Sequence, residues 1–299
     1  MSIKSSIKRA IESNTILLEI KFALLKPLHW LSYVLKRNPN ERSVVEHGAA
    51  SVMRSPEYAR IPRVPDAGRL VGGLLVMHNG VRVLPTSYIG WPNYVMLRGS
   101  GGVHEPEEER VFMDVLATLP AGATMVELGA YWAFYSLWFQ QVVPGARSIL
   151  VEPELSHLNY GRKHFQINGR TGTFVHALVG AREGTLDGHR IVSVDALVRE
   201  HGLDRIDLLH ADIQGYELEM LEGASATLAA QKIGWAFIST HSEDLHARCR
   251  EFLARHGFVV AAEALQSQIS GPDGVLVMRH ESVPDPGVDP IRLAATPSA

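Results

Sequence analysis

From residue 105 to residue 280 the apolar positions alternate between two patterns. Short runs such as Thr124 to Leu128, Ile206 to Asp212 and Trp235 to Thr240 are nearly continuous, as strands buried on both faces are. Between them apolar residues recur three and four apart, the period of a helix with one buried stripe. The reading predicts helices over Glu107–Leu119, Phe134–Val142, Ser156–Asn168, Asp195–His201, Tyr216–Gln231 and Ser242–Gly257. Strands are predicted at Thr124–Leu128, Ser148–Glu152, Thr173–Ala177, Ile206–Asp212 and Trp235–Thr240. Phe258–Glu263 and Val275–Arg279 complete the set, as an antiparallel pair around Gly271-Pro272-Asp273-Gly274. Strands alternating with helices imply an α/β fold: a doubly wound, mostly parallel seven-stranded sheet with helices on both faces.

The segments before and after this region read differently. Residues 66–104 form a strand and turn entry, in which Leu74–Met77 and Val81–Leu84 flank Asn79-Gly80, a strong hairpin signal. The aromatic and glycine-rich stretch Tyr88, Trp91, Tyr94, Arg98 and Gly99 to Gly102 either covers a pocket or is a structural hairpin. Residues 1–65 are expected to be a helical extension, with Ile3, Ile7, Ile11, Leu18, Phe22 and Leu25 drawing one apolar stripe. Glu19, Lys21, Lys26 and Pro27 interrupt that stretch, so it does not read as a membrane span or a secretory signal. The stripe is expected to pack on the domain or, in a homodimer, on a second copy. Peripheral contact with an anionic membrane is the alternative, since residues 1–40 carry seven Lys/Arg against two Glu. Residues 281–299, with four prolines, read as a disordered tail.

Composition narrows the class. A net charge of −3 gives no basic field for a nucleic-acid partner. A single cysteine, Cys249, excludes an intramolecular disulfide and suits a cytoplasmic protein; it lies in a helical stretch and reads as structural.

Three stretches carry chemistry. Met125 to Ser136 is an apolar strand ending in Glu127, a turn at Gly129 and then a helix. Ligands of open α/β sheets sit beyond the carboxyl ends of strands, where strand order reverses. An acid there suits an ammonium group rather than a phosphate, which favours an amino-acid-bearing cofactor. Glu152, at the end of the next strand, is placed to accept the ribose hydroxyls of an adenosine. Strand period two puts His210 and Asp212 on one side at the end of Ile206–Asp212, and His241 follows the neighbouring strand. These three are expected to converge above the sheet as the catalytic group.

Together these stretches resemble the FkbM family of S-adenosylmethionine-dependent methyltransferases over about residues 105–280. The first motif is met by Glu127, Gly129, Ala130, Phe134, Tyr135 and Ser136, the second by Glu152, Pro153 and Asn168. The third is approached by Asp195 and by Asp207 through Glu217. The resemblance implies a class I methyltransferase (Rossmann-like) fold that binds S-adenosylmethionine. It implies that Glu127 and Gly129 hold the methionine end, Glu152 the ribose, and that Ala177 neighbours the adenine. Ala130, Tyr131, Ser136 and Asp212 would complete the cofactor set. Tyr131 and Ala133 replace the family's Asn and Gly, His210 replaces a Lys, and Gln214 a Glu.

The expected activity is methyl transfer to a hydroxyl of a sugar, glycan or secondary metabolite, with His241 or His210 as base and Asp212 orienting it. A neutral imidazole near its usual pKa of about 6.5 accepts a proton at physiological pH. A divalent cation on His210, Asp212 and His241 is the less favoured version, and no metal is assigned. A nicotinamide oxidoreductase would need a diphosphate-binding turn where Tyr131-Trp132 stands. A non-catalytic binding or scaffold protein is the remaining alternative.

Overall fold

The computed structural model describes residues 48–88, 90–269 and 271–293. The predicted stripe of residues 3–25 and its lipid or protein contacts lie outside the described residues. After helical residues 48–54, the entry holds strands β1 (Leu70–Val71), β2 (Leu74–Val76) and β3 (Arg82–Val83), then helix α1 (Trp91–Gly99). The main unit begins with α2 (Pro106–Leu116), β4 (Thr124–Leu128), α3 (Phe134–Val142), β5 (Arg147–Glu152), α4 (Leu155–Ile167) and β6 (Thr173–His176). A small excursion follows, β7 (Leu178–Val179), β8 (Gly184–Leu186) and β9 (His189–Val192), leading to α5 (Val194–Glu200). The second half runs β10 (Ile206–Ala211), α6 (Glu217–Glu222), α7 (Ser225–Ala229), β11 (Ile233–Thr240), α8 (Glu243–Ala254), β12 (Phe258–Ala264) and β13 (Gly274–His280).

The central sheet has seven strands in the order β12-β13-β11-β10-β4-β5-β6. Six run in one direction, and β13 alone runs antiparallel, between β11 and β12. This is the class I methyltransferase arrangement. Strand order reverses between β4 and β10, so their carboxyl ends frame the crevice where such sheets bind ligands. There Glu127 pairs in register with His210, and Leu128 with Ala211.

Two apolar layers sandwich the sheet. Met125, Leu208, Trp235 and Phe237 face Phe112 of α2 and Trp138 of α3. On the opposite face Val126, Leu209 and Ile238 meet Leu197 of α5, Met220 of α6 and Leu253 of α8. All eight residues of β11 are buried, which explains why that strand reads as an unbroken apolar run. No helix of the described residues is long and apolar enough to cross a membrane.

The departures from the sequence reading have local causes. Trp91–Gly99 is a helix rather than strand or turn, since Pro92 occupies its first turn, where a missing N–H costs nothing. The helix expected over Tyr216–Gln231 is two short ones, parted at Gly223. The three-stranded excursion was not anticipated, although Asp187-Gly188, both at positive φ, is a hairpin turn signal. The tail is ordered through residue 293: Ile291 is buried, and Asp289 bonds with Arg60 and Arg110. Those contacts hold a polar, proline-rich segment that composition alone reads as disordered. Residues 294–299 lie outside the described set.

Candidate active site

The loop after β4 is fixed by its backbone. Gly129 sits at φ +76, and a Cβ there would lie 1.8 Å from the Asp212 carbonyl oxygen, so the loops after β4 and β10 touch only because this residue is glycine. Tyr131 and Ala133 also have positive φ, at 44 and 65. Trp132 is buried in an aromatic group: Tyr88 and Phe134 stack on it, and His104 meets it edge-on. His164 clamps this loop to the entry segment. Its Nε2 accepts the Leu84 N–H at 3.0 Å and its Nδ1 donates to the Trp132 carbonyl at 2.8 Å, the neutral tautomer. Burial pushes that ring down to about 4, consistent with a neutral imidazole. The aromatic entry thus covers the loop with Tyr88.

Glu127 does not stand open at the strand end. It is buried, and its Oε2 accepts the Ser136 N–H at 3.2 Å, tying β4 to the start of α3. Burial raises it to about 7, with His210 and Ser136 opposing the shift. Glu152 closes the next strand. One oxygen accepts the Tyr131 N–H at 3.0 Å, and the other accepts the Glu154 N–H at 2.9 Å. A carboxylate has about four lone-pair sites, so capacity remains for ribose hydroxyls. Ala177 is buried just beyond β6.

The three expected catalytic residues separate into two groups. His210 is buried, and its Nε2 lies 2.9 Å from Glu108 Oε1, while Ser239 Oγ donates to Glu108 Oε2 at 2.7 Å. Tyr135 and Phe237 flank the ring. Burial disfavours both charges, raising Glu108; His210 is nonetheless raised, because Glu108 and Glu127 outweigh its desolvation. His210 Nδ1 and Ser136 Oγ are buried without a hydrogen-bond partner among the described residues.

His241 joins Asp212 instead, with Nε2 3.3 Å from Asp212 Oδ1 and 3.4 Å from Asp273 Oδ1, and Nδ1 3.0 Å from Glu217 Oε1. Desolvation would lower this imidazole, but the three acids raise it to about 10. These carboxylates favour a positive charge at His241, the opposite of the push that a neutral base would need. Asp273 is raised to about 6, chiefly by burial. Cys249 is buried and its thiol is pushed up to about 12 by desolvation, the behaviour of an inert core residue.

Sequence reasoning missed Glu105, Glu108 and Asp273. They line one cleft with Glu107, Ile269, Gly271, Pro272 and Val275, and none of its lining residues is basic. The signal was the run His104-Glu105-Pro106-Glu107-Glu108-Glu109-Arg110, which resembles an exposed helix start. Instead, Glu107, Glu108 and Glu109 are all buried. Acids favour a helix N-terminus, and burying three of them requires partners. Glu109 finds His78 and His104, and Glu108 finds His210. The phenol of Tyr88 is raised well above its ordinary value by burial and then by the negative charge of Glu105 and Asp212. A set of acids of this kind fits a ligand carrying positive charge.

Comparison with known proteins bears out the family resemblance for the second half of the sheet. Residues 182–260 match the methyltransferase FkbM domain, a segment holding Asp195, Asp207 to Glu217 and His241 but not Glu127 or Glu152. A protein of Jannaschia sp. (strain CCS1) named "Putative methyltransferase" is 33% identical over 88 residues, covering 27% of this chain and 31% of that protein. The chain thus matches about a third of that relative's length. Among solved structures, precorrin-6y C5,15-methyltransferase from Geobacter metallireducens GS-15 is 16% identical, with a TM-score of 0.43 over 59% of this chain and 89% of that one. TrmK of M. capricolum, in complex with S-adenosyl-homocysteine, is 15% identical, with a TM-score of 0.41 over 57% and 67%.

Proposed function

We propose that this chain is an S-adenosylmethionine-dependent methyltransferase that acts on a hydroxyl of a sugar, glycan or secondary metabolite. The observation that carries the reading is the acidic cleft lined by Glu105, Glu108 and Asp273, with Asp212 reaching Asp273 through His241. The FkbM domain match over residues 182–260 supports the same reaction class.

S-adenosylmethionine, when bound, supplies a methyl group already activated by its positive sulfur. Asp212 and Glu105, the partly exposed acids, attract the cationic end. Glu152 accepts from the ribose hydroxyls, Ala177 borders the adenine, and Gly129, Ala130 and Tyr131 form the loop beneath. Glu127 acts behind them by holding the start of α3 through Ser136. The proton acceptor in this reading is Glu108, which lines the cleft and whose two oxygens are held by His210 and Ser239. In the transfer the acceptor oxygen forms a bond to the methyl carbon and the carbon–sulfur bond breaks. Its electron pair goes to sulfur and the hydroxyl proton to Glu108. Alignment and this proton removal are what the protein contributes.

A non-catalytic binding role is the second reading, favoured by Tyr131 and Trp132 filling the loop and by the two backbone N–H groups already on Glu152. Methyl-labelled S-adenosylmethionine incubated with the protein and fractionated cell extract separates the two. An O-methylated small molecule or glycan supports the proposal. Label in nucleic acid or on protein nitrogen contradicts the hydroxyl reading, and no turnover supports the binding role.

A further inference from the structure

The ends of β10 and β11 and the turn before β13 bring three potential ligand atoms to one place. His241 Nε2, an Asp212 oxygen and an Asp273 oxygen lie within 4.8 Å of one another. Bonds of about 2.0–2.2 Å to a first-row ion put adjacent ligand atoms roughly 3 Å apart, close to the 3.3 and 3.4 Å seen here. Despite these short separations, both ring nitrogens of His241 are buried without a properly directed hydrogen bond among the described residues. The atoms are grouped around a common point rather than aimed at one another.

A second feature lies behind the ring. Glu217 is fully buried, 3.0 Å from Nδ1, and the same oxygen accepts the N–H groups of Ile213 and Gly215 at 3.2 Å each. A carboxylate fixed by two backbone donors favours a proton on Nδ1, so that Nε2, which faces the two aspartates, is the nitrogen at which a metal ion would replace a proton. Metal-bound histidines are oriented by such an outer carboxylate. The other Glu217 oxygen is buried and without a hydrogen-bond partner among the described residues. Three carboxylates around one imidazole, Glu217 buried and the two aspartates partly exposed, suit a cation of higher charge than a proton.

We propose that Asp212, His241 and Asp273 bind one divalent transition-metal ion, with Glu217 holding the histidine in register. Two carboxylates and one imidazole suit Mn²⁺: oxygen-rich sets take hard ions, and the imidazole nitrogen shifts the preference from magnesium towards a transition metal. Three protein ligands leave coordination positions open on the side of the Glu105–Glu108 cleft. There two neighbouring oxygens of the acceptor, a vicinal diol or a hydroxyl beside a carbonyl, complete the coordination. This substrate class rests on the methyltransferase reading; the metal site itself does not. The set differs from the one expected from sequence, in that Asp273 takes the place of His210.

The test titrates Mn²⁺ into the full chain after chelation and dialysis, following free Mn²⁺ by electron paramagnetic resonance. One ion per chain is expected. Asp273→Asn, on a loop outside the core, is expected to weaken binding at least tenfold. Glu217→Gln should weaken it about 10- to 100-fold, as loss of an outer partner does. Absence of saturable binding to the folded wild type, or unchanged binding in the folded Asp273→Asn variant, overturns the proposal. Cofactor titration on the same samples keeps the two ideas apart. Methyl-donor binding without Mn²⁺ binding defeats the metal site alone, and Mn²⁺ binding without donor binding defeats the methyltransferase reading alone.

Discussion

Glu108 and His210, 102 positions apart in the chain, meet at 2.9 Å beneath the cleft. The contact joins the first turn of α2 to the last residues of β10, so a helix outside the recognised motifs supplies a carboxylate to the proposed chemistry. Glu108→Gln keeps the shape and removes the proton acceptor. Turnover is expected to fall by roughly 10²–10⁴-fold with cofactor affinity little changed. Steady-state rates paired with a binding titration check this, and undiminished turnover in the variant removes Glu108 from the role.

Glu152 is held in place by the backbone it supports. Glu152→Gln should weaken S-adenosylmethionine binding by about 10- to 100-fold, since a hydrogen bond to a charged group contributes about 1.5–3 kcal/mol. Calorimetric titration measures it, with circular dichroism to establish that the variant is folded. Equal affinity in wild type and variant places the ribose elsewhere.

His104 sets a pH dependence of stability. Burial would lower its pKa, but Glu105 and Glu109 raise it to about 10. The folded value is above the unfolded value of about 6.5. The stabilisation is therefore complete below about 6.5 and is lost as pH rises through about 10. Denaturation midpoints should fall between pH 6 and pH 10 in the wild type. The decline should be shallower in His104→Gln, and a parallel decline in both proteins assigns the effect to other groups.

The tail is anchored through a buried pair. Arg110 Nε lies 3.1 Å from Glu57 Oε2, with side chains 1% and 0% exposed. Removing one partner of a buried pair costs about 3–5 kcal/mol, and here Asp114, which stays on Arg110, brings the cost toward the lower end. Glu57→Ala should lower stability by about that amount in chemical denaturation, whereas Glu57→Ala with Arg110→Met should recover part of it. A loss below about 1 kcal/mol in the single variant contradicts the buried-pair account.

Much of this was legible in the chain. The strands at Thr124–Leu128 and Trp235–Thr240 were readable because residues buried on both faces leave long apolar runs. The places of Glu127, Glu152 and Asp212 at strand ends were readable from the same alternation of strand and helix. What escaped depended on tertiary partners. The buried acids Glu107 to Glu109 look like a solvated helix start until His78, His104 and His210 are seen beside them. Asp273 lay in a predicted turn, with nothing local to connect it to His241 thirty-two residues earlier. The ionisation of His241 could not be read from its neighbours in sequence, since Glu217 and Asp273 reach it only through the fold.

The central claim is that the crevice at the ends of β4, β5 and β10, beside the acidic cleft between α2 and the turn before β13, binds S-adenosylmethionine as a methyl donor. Isothermal titration of the full-length protein with S-adenosylmethionine, repeated with S-adenosylhomocysteine, tests it most directly. The account predicts one site per chain, weakened in Glu152→Gln. It also predicts tighter binding of the sulfonium form, whose positive charge the surrounding carboxylates favour. No saturable heat from either ligand with the folded wild-type protein would contradict it.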